Sequence, residues 1–248
     1  MKKILIIRMS SIGDIVLSTS FIQSVKDKFP NSEIHFLIKS EFVDIVKGHS
    51  LIDNIIVFDK RLGFKELVKL GKSLRNNNYN IIYDIHSVFR TRILSFFLRN
   101  HLFKQIKKPR LRRFMLFYAY QNFFEKSFSH IKMYHSLIAK KDSFPKTKLH
   151  LSEKEIEDTK RYLSNNNIGN NFITIVPGAA WSQKQWSIDN YNNLMTRLIK
   201  AFNSKIVILG STNDIICDQI VKSEKIINLK DRTTLRMAMG ILKFSKHT

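Results

Sequence analysis

The chain has 248 residues, of which 44% are hydrophobic, and its 42 lysines and arginines outnumber its 20 aspartates and glutamates, for a formal charge of +22. This apolar content allows a sizeable core and excludes bulk disorder. The single cysteine, Cys217, excludes a disulfide scaffold and is typical of a reducing compartment. The longest nearly apolar stretches are far shorter than the ~18–20 residues that span a bilayer, so we expect a cytoplasmic protein.

The first half of the chain alternates short aliphatic runs with amphipathic segments. Such runs are typical of strands buried on both faces, and they predict strands over residues 4–7, 33–38, 55–58 and 80–85. Helices are predicted after the loop 10–14 as far as residue 29, and over 42–46, 64–74 and 88–98. Strands that alternate with helices indicate a parallel, doubly wound α/β sheet.

A second alternation begins after a segment with no clear periodicity. Ser152 and Glu155 have the spacing of a capping box, which predicts a helix to about residue 163. Strands are then predicted over residues 172–176, 205–209 and 226–229, and helices over 188–202, 215–222 and 234–242. The sequence therefore predicts an N-terminal Rossmann-like domain (1–141), a linker (142–151) and a second such domain (152–248).

The positive charge is concentrated in one part of the chain. Between Asp84 and Glu125 every charged residue is a lysine or an arginine. Nucleic acid, an anionic membrane surface and an acidic small molecule are all compatible with such a charge. A solvated surface without a partner is the other interpretation, and charge alone does not choose among them.

The loop after the first predicted strand is a candidate binding site, because ligands of open α/β sheets lie at the carboxyl ends of the strands. Gly13 lets the backbone approach a ligand closely, and the amides at the helix start favour anions. Only one glycine is present, so the loop is not a dinucleotide fingerprint. Asp14 has two interpretations. Its carboxylate could stabilise the helix by interacting with the helix dipole, which contributes ~0.3–1 kcal/mol, or it could act as a general base.

Two strand ends in the second half offer similar groups. The loop 177–187 follows a buried strand, its small residues leave room for a phosphate, and Lys184 could neutralise that phosphate as a point charge. Ser187 is a plausible N-cap residue and Trp186 is expected to pack on the following helix. Ser211 and Asp214 lie after the next predicted strand and present small and polar groups to the same crevice.

Several segments together resemble a known family. ILIIRMSSIGDIVLSTSFIQSVK and NIIYDIHSVFRTRI in the first half, and IVPGAAWSQKQWSIDNYNNL and ILGSTND in the second, are similar to the corresponding segments of the lipopolysaccharide heptosyltransferases, glycosyltransferase family 9. The resemblance extends over nearly the whole chain. It implies a GT-B-like arrangement, in which two Rossmann-like domains face each other across a cleft.

The resemblance also implies an activity and a set of roles. The family transfers a heptose from ADP-heptose to the inner core of lipopolysaccharide, with inversion, and without a metal ion or any cofactor besides that donor substrate. Asp14 matches the catalytic base and Lys184 the contact to the donor diphosphate. The other implied donor-binding residues are Ser10, Ser11, Gly13, Ala179, Ala180, Ser211 and Asp214. Lys60, Arg61, Arg90 and Arg113 are the implied acceptor-binding cations.

One departure from the family pattern affects this expectation. The D-[S/T]-G-x-x-H segment, which holds the sugar nucleotide in the family, has no counterpart in this sequence. We therefore expect a C-terminally truncated chain with an incomplete second domain. The alternatives to an active enzyme are an inactive remnant or one half of a split enzyme, with nucleic-acid binding a distant third. The expected partners are the nucleotide sugar, the lipopolysaccharide acceptor and the anionic inner-membrane surface, at which the protein would be peripheral.

Overall fold

The computed structural model describes residues 1–138 and 143–247, which form two compact units, Met1–His150 and Leu151–Thr248. The boundary between the two units along the chain falls inside the segment 142–151, for which the sequence predicts a linker. Residues 141 and 142, where the predicted first domain ends and the linker begins, lie outside the described residues. No described helix is long and apolar enough to cross a bilayer.

The first unit is built on a sheet of five parallel strands in the order β3-β2-β1-β4-β5. The strands are β1 (Lys2–Ile7), β2 (Ser32–Lys39), β3 (Asn54–Phe58), β4 (Ile81–Asp84) and β5 (Leu102–Gln105). Its centre is aliphatic, with Ile4 of β1 between Ile34 and Ile81. The sequence did not predict β5, because an edge strand with two polar residues lacks the continuous apolar run of a buried one.

Helices cover both faces of this sheet, which confirms the doubly wound prediction. They are α1 (Ile12–Lys28), α2 (Val43–Val46), α3 (Gly63–Arg75), α4 (Phe89–Phe97), α5 (Arg110–Tyr118) and α6 (His130–His135). On one face, Phe21 of α1 packs edge-on against Tyr83 of β4, with ring centroids 5.4 Å apart. On the other, Leu70 of α3 and Leu94 of α4 join the core around Leu5 of β1.

The described part of the predicted linker, residues 143–150, lies against the first unit. The hydroxyl of Ser20 donates to the carbonyl of Pro145 at 2.5 Å, and the amide of Lys148 donates to Thr19 Oγ1 at 3.0 Å. At its end, the ring of His150 stands 4.5 Å from that of His49. This segment therefore belongs to the packing of the first unit.

The second unit has a sheet of three parallel strands in the order β6-β7-β8. Its elements are α7 (Glu153–Asn165), β6 (Phe172–Ile175), α8 (Ile188–Phe202), β7 (Lys205–Ile208), β8 (Ile226–Asn228) and α9 (Leu235–Phe244). The helix predicted over 215–222 is wrong: the chain makes a 3₁₀ turn there, Ile215–Gln219. The amide of Val221, which would donate to the carbonyl of Cys217 in an α-helix, donates instead to Asn192 Oδ1 at 3.1 Å, and that carbonyl accepts from Asn228 Nδ2 at 2.7 Å.

This smaller sheet is also covered on both faces. Leu163 of α7 and Ile241 of α9 pack with Val207 of β7 on one side, while Met195 of α8 packs with Ile206 on the other. Ser152 forms the predicted capping box at the start of α7. Residues 245–247 run along β6. The amide of Lys246 donates to the carbonyl of Phe172, and the amide of Thr174 donates to the carbonyl of His247, both at 3.0 Å.

Gly240 sets the packing of α9 against α7, which yields a stability prediction. A Cβ at position 240 would lie 2.2 Å from Thr159 Oγ1 and 2.9 Å from its Cγ2. We expect Gly240→Ala to lower the free energy of unfolding of the second unit by ~1–3 kcal/mol through overpacking. Urea denaturation followed by circular dichroism measures the effect.

The matched control is the double variant Gly240→Ala/Thr159→Ala, which removes the two closest of the three Thr159 atoms and leaves only Cβ, at 3.0 Å. It should recover part of the lost stability. A single variant as stable as the wild type, or a double variant less stable than the sum of the single changes, would contradict this packing.

Candidate functional site

The loop after β1 brings four of the predicted site residues together: Ser10, Ser11, Gly13 and Asp14. Ser11 is the N-cap residue of α1, and its carbonyl accepts the first helical bond from the amide of Ile15 at 2.9 Å. Gly13 is exposed, and a Cβ there would meet nothing within 4 Å. The start of α1 is thus open above a strand end, as a ligand site in a parallel sheet requires.

Asp14 is held by three side chains, two from the loop between β1 and α1 and one from α6. Arg8 Nη2, just after β1, lies 2.5 Å from Asp14 Oδ2. Ser11 Oγ donates to the same oxygen at 3.1 Å, and the hydroxyl of Tyr134 on α6 donates to Oδ1 at 2.9 Å. An ionised carboxylate has about four acceptor sites, so one remains for another donor. The interaction with the helix start is therefore only a part of what this carboxylate does.

Arg8 is a site residue that the sequence analysis missed. Its side chain is only 5% exposed, and Nη1 donates to the carbonyl of Ile85 at 2.7 Å. The guanidinium carbon lies 5.5 Å from the ring centroid of Tyr134. Removing one member of a buried ion pair costs ~3–5 kcal/mol because the other charge stays unpaired. Arg8 and Asp14 therefore fix each other.

These contacts set the pKa of Asp14. Burial favours the neutral acid and works to raise the pKa of Asp14. The positive charge of Arg8 and the hydrogen bonds from Tyr134 and Ser11 outweigh burial, so the pKa lies below its ordinary value of 3.8. Asp14 is consequently a carboxylate at neutral pH, with its acceptor sites unprotonated.

The end of β4 is organised by a second buried carboxylate, Asp84. The backbone amides of His86 and Ser87 each donate to Asp84 Oδ1 at 2.9 Å, and Gln105 of β5 donates to Oδ2 at 2.5 Å. These bonds hold the loop that leads into α4. Burial, followed by the positive charge of Arg8, lowers the pKa of His86 to about 3, so its imidazole is neutral at pH 7.

Two more groups, Lys108 and His130, lie within electrostatic reach of Asp14, and Arg113 lies close to both of them. Burial and then Arg8 lower the pKa of Lys108 to about 8, against the opposing pull of Asp84 and Asp14. The predicted acceptor residue Arg113, on α5, bonds to His130 Nε2 through Nη2 at 3.1 Å. The sequence did show a stretch without acidic residues that contains Lys108 and Arg113. Only the fold shows which cations of this stretch lie close enough to interact with Asp14.

Two other predicted acceptor-binding cations, Lys60 and Arg90, line one cavity of about 390 Å³ at the ends of β3 and β4. The remaining lining residues are mostly apolar and come from α3, α4 and their flanks: Gly63, Phe64, Leu67, Val88, Phe89 and Ile93. Arg61 is not among them. Its side chain is 85% exposed and pairs with Asp59 through Nη2 at 2.7 Å.

The second unit assembles the predicted donor residues at the ends of β6 and β7. The amide and the hydroxyl of Ser211 donate to Asp214 Oδ2 at 2.6 and 2.7 Å. A Cβ on Gly178 would lie 2.1 Å from Asp214 Oδ1. Glycine at 178 therefore allows the loop that carries Ala179 and Ala180 to lie directly against Asp214.

Lys184 lies in the same loop, in an exposed 3₁₀ turn, Ser182–Lys184. The predicted roles of its neighbours are confirmed: Ser187 caps α8 by accepting from the amide of Asn190, and Trp186 packs edge-on against Tyr191, with ring centroids 5.7 Å apart. The capped helix fixes one end of the loop, and the contact of Gly178 with Asp214 fixes the other.

A family comparison identifies the chain. The sequence model of glycosyltransferase family 9 (heptosyltransferase) matches residues 67–246, well over half of the length. The chain belongs to glycosyltransferase family 9. The resemblance read from its motifs is thereby confirmed. Among the residues that the structure describes, no three His, Cys, Asp or Glu side chains form a group that could hold a metal ion.

Curated proteins similar to this family 9 chain match it over different lengths. It is 33% identical over 104 residues to lipopolysaccharide heptosyltransferase 1 of Campylobacter coli, which covers 41% of the chain and 30% of that protein. It is 21% identical over 234 residues to lipopolysaccharide heptosyltransferase 3 of Escherichia coli, which covers 85% of the chain and 64% of the relative. The chain thus spans less than two thirds of either relative.

Solved structures show the same fold. A glycosyl transferase family 9 protein from Veillonella parvula has a TM-score of 0.78 at 17% identity, over 98% of this chain and 74% of its own. The ADP-heptose LPS heptosyltransferase II of E. coli has a TM-score of 0.77 at 22% identity, over 99% and 77%. At such identities the likeness establishes the fold, and it agrees with the predicted pair of Rossmann-like parallel sheets.

The contact between Tyr134 and Asp14 yields a pKa prediction. Tyr134→Phe removes a hydrogen bond to the ionised carboxylate, so the pKa of Asp14 should rise towards its ordinary value. The stability that a lowered carboxyl pKa provides is present above the unfolded-state pKa and is lost as the pH falls through the native one. That acid-dependent loss should be smaller in the variant. A carbon-13 NMR titration of the Asp14 carboxyl measures the shift.

Tyr162→Phe is the matched control, because it removes a tyrosine hydroxyl that bonds to the carbonyl of Arg232 in the second unit. It should leave the pKa of Asp14 where it is. An unchanged pKa in Tyr134→Phe, or an equal rise in both variants, would show that this hydrogen bond does not stabilise the carboxylate.

Proposed function

We propose that the protein transfers a heptose from ADP-heptose to the inner core of lipopolysaccharide, with inversion and without a metal ion. One observation carries this: Asp14, in the motif that resembles the family's base, is an ionised carboxylate at a strand end with one acceptor site to spare. Membership of glycosyltransferase family 9 supports the reaction class.

In the proposed step, Asp14 takes the proton of the acceptor hydroxyl while the hydroxyl oxygen bonds to the anomeric carbon. The bond from that carbon to the donor phosphate oxygen breaks, and ADP leaves with the electron pair. Because there is one displacement, the configuration at the anomeric carbon inverts. Arg8 and Tyr134 orient the carboxylate, and Arg8 keeps it charged until the proton moves.

The donor would lie against the second unit. Negative charge develops on the departing diphosphate, and a positioned cation stabilises it; Lys184 is exposed in the right loop for this role. The small side chains of Ala179 and Ala180 leave room beside it. Asp214 is an acceptor, which suits hydroxyl groups of the donor better than its phosphates. Ser10, Ser11 and Gly13 would complete the donor contacts, as the resemblance implies.

The acceptor would lie against the first unit. The cavity lined by Lys60 and Arg90 combines two cations with an apolar wall, which suits an anionic sugar or phosphate group joined to a less polar body. Arg61 and Arg113 extend this positive surface, each already next to one partner within the unit. We place the protein in the cytoplasm, where this surface would meet an acceptor at the inner membrane.

Replacing Asp14 tests the base. We expect Asp14→Asn to lower kcat by about 10²–10⁴-fold, the usual contribution of a general base, while KM for either substrate changes little. The assay follows ADP release with ADP-heptose and a heptose-free lipopolysaccharide acceptor.

Glu153→Gln is the control, because Glu153 is also an acidic residue in the first turn of a helix, α7. It should keep full activity. If Asp14→Asn retained wild-type kcat, or if both variants lost activity equally, Asp14 would not be the base.

Replacing Lys184 tests the donor half independently. We expect Lys184→Met to weaken ADP binding about tenfold, as the loss of one charge-assisted contact implies, measured by isothermal titration calorimetry. Lys200→Met, in the last turn of α8 and equally exposed, removes the same charge from the same unit. If both variants lost ADP affinity equally, the effect would come from the positive charge of the unit as a whole, and Lys184 would have no specific contact with the donor.

A further inference from the structure

The segment 110–123, which we name the aromatic segment, exposes an unusual set of side chains. It comprises α5 and the residues that follow it. Its apolar residues that are between 55% and 90% exposed are Leu111, Phe114, Phe117, Tyr118, Tyr120 and Phe123. None of the nine residues of α5, all of them described, is buried. These side chains therefore contribute little to the core of the unit.

The aromatic segment is nevertheless held in place. Arg110 Nη2 donates to the carbonyl of Ser87 at 3.3 Å, and Arg113 bonds to His130 at 3.1 Å. These two arginines tie α5 to the loop after β4 and to α6. The aromatic segment is thus attached to the unit through these arginine contacts. Leu111, Phe114 and Tyr118 lie at positions i, i+3 and i+7 and therefore share one side of α5.

Three of the exposed apolar side chains, Leu111, Phe114 and Tyr118, lie on one side of α5, and two of them are in contact. The rings of Phe114 and Tyr118 lie 4.8 Å apart. Contiguous apolar surface of this kind marks an interaction site. A partner bound to this surface has to contact aromatic and aliphatic side chains together, since Leu111 lies on the same side of α5 as the rings.

The charge around the patch identifies that occupant. Arg112 is 46% exposed, and its pairing with Glu125 at 3.8 Å joins two exposed groups, a contact worth little. Lys107 is exposed just before α5. An aromatic and aliphatic face bordered by arginine and lysine is the pattern of an element that lies in the interface of an anionic bilayer.

From these observations we infer that the aromatic segment docks the protein on the surface of an anionic lipid bilayer. Leu111, Phe114 and Tyr118 insert between the headgroups, and Arg112 and Lys107 contact anionic phosphates. The inference does not depend on heptosyl transfer, because it concerns a surface outside the loop after β1. A nucleic acid would stack on the rings and leave the aliphatic side chains without a partner.

Vesicle co-sedimentation with the full chain tests the docking surface. We expect binding to vesicles of phosphatidylcholine mixed with phosphatidylglycerol and little binding to phosphatidylcholine alone. Leu111→Ser/Phe114→Ser should weaken binding about tenfold or more. The matched control is Phe202→Ser/Ile215→Ser, two residues of similar exposure in the second unit, which should bind like the wild type. Thermal melts verify that each variant is folded.

The charge contribution has its own pair of variants. Arg112→Gln should weaken binding to the anionic vesicles about fivefold, the factor that ~1 kcal/mol per arginine gives near such a surface. Arg161→Gln, an exposed arginine of α7 with a similarly long ion pair to Asp158 at 3.9 Å, should have no effect.

Four results would overturn the inference. They are equal binding of both vesicle types, wild-type binding by Leu111→Ser/Phe114→Ser, oligonucleotide binding in fluorescence anisotropy that this variant loses while vesicles do not bind, and a dimer in light scattering that the same variant abolishes. The last two would assign the aromatic segment to nucleic acid or to a second copy of the chain.

Discussion

The ion pair between the buried Arg8 and the half-buried Asp14 is the interaction on which the candidate site depends. It joins the end of β1 to the first turn of α1, and Tyr134 adds α6 by bonding to the carboxylate and lying beside the guanidinium. Arg8 also donates to the carbonyl of Ile85, and this bond ties the loop after β4 to the ion pair. A buried charge must keep its partners, so four parts of the first unit are fixed around one carboxylate.

The parallel sheet explains why functional groups collect there. Every strand of the first unit ends at the same edge, so Asp14, Asp84, Lys108 and the cavity with Lys60 come from loops that are distant in sequence yet share that edge. Asp84 has a structural role, because it accepts hydrogen bonds from two backbone amides. Asp14 has one acceptor site left for a ligand. The same fold in the second unit brings Gly178 against Asp214.

The sequence predicted what depends on local pattern. Aliphatic runs located seven of the eight strands in the described residues, and the SSIGD motif located Asp14. Tyr134 was missed because it is 120 residues from Asp14. Arg8 was missed because its burial and its bond to Ile85, 77 residues away, appear only in the folded chain. The strand β5 was missed because its two polar residues interrupt the apolar run. The helix over 215–222 was wrong because the amide of Val221 donates to Asn192 and the carbonyl of Cys217 accepts from Asn228, both in other segments. Arg61 pairs with Asp59 and does not line the cavity, a contact that periodicity does not reveal.

The most direct test of the central claim is a crystal structure of the protein with a non-transferable ADP-heptose analogue and the acceptor. The account predicts the attacking hydroxyl within about 2.6–3.2 Å of Asp14, in the acceptor site that Arg8, Ser11 and Tyr134 leave open, with the Arg8–Asp14 pair intact. A hydroxyl bonded to another residue, with Asp14 still enclosed by its three present partners, would contradict the account.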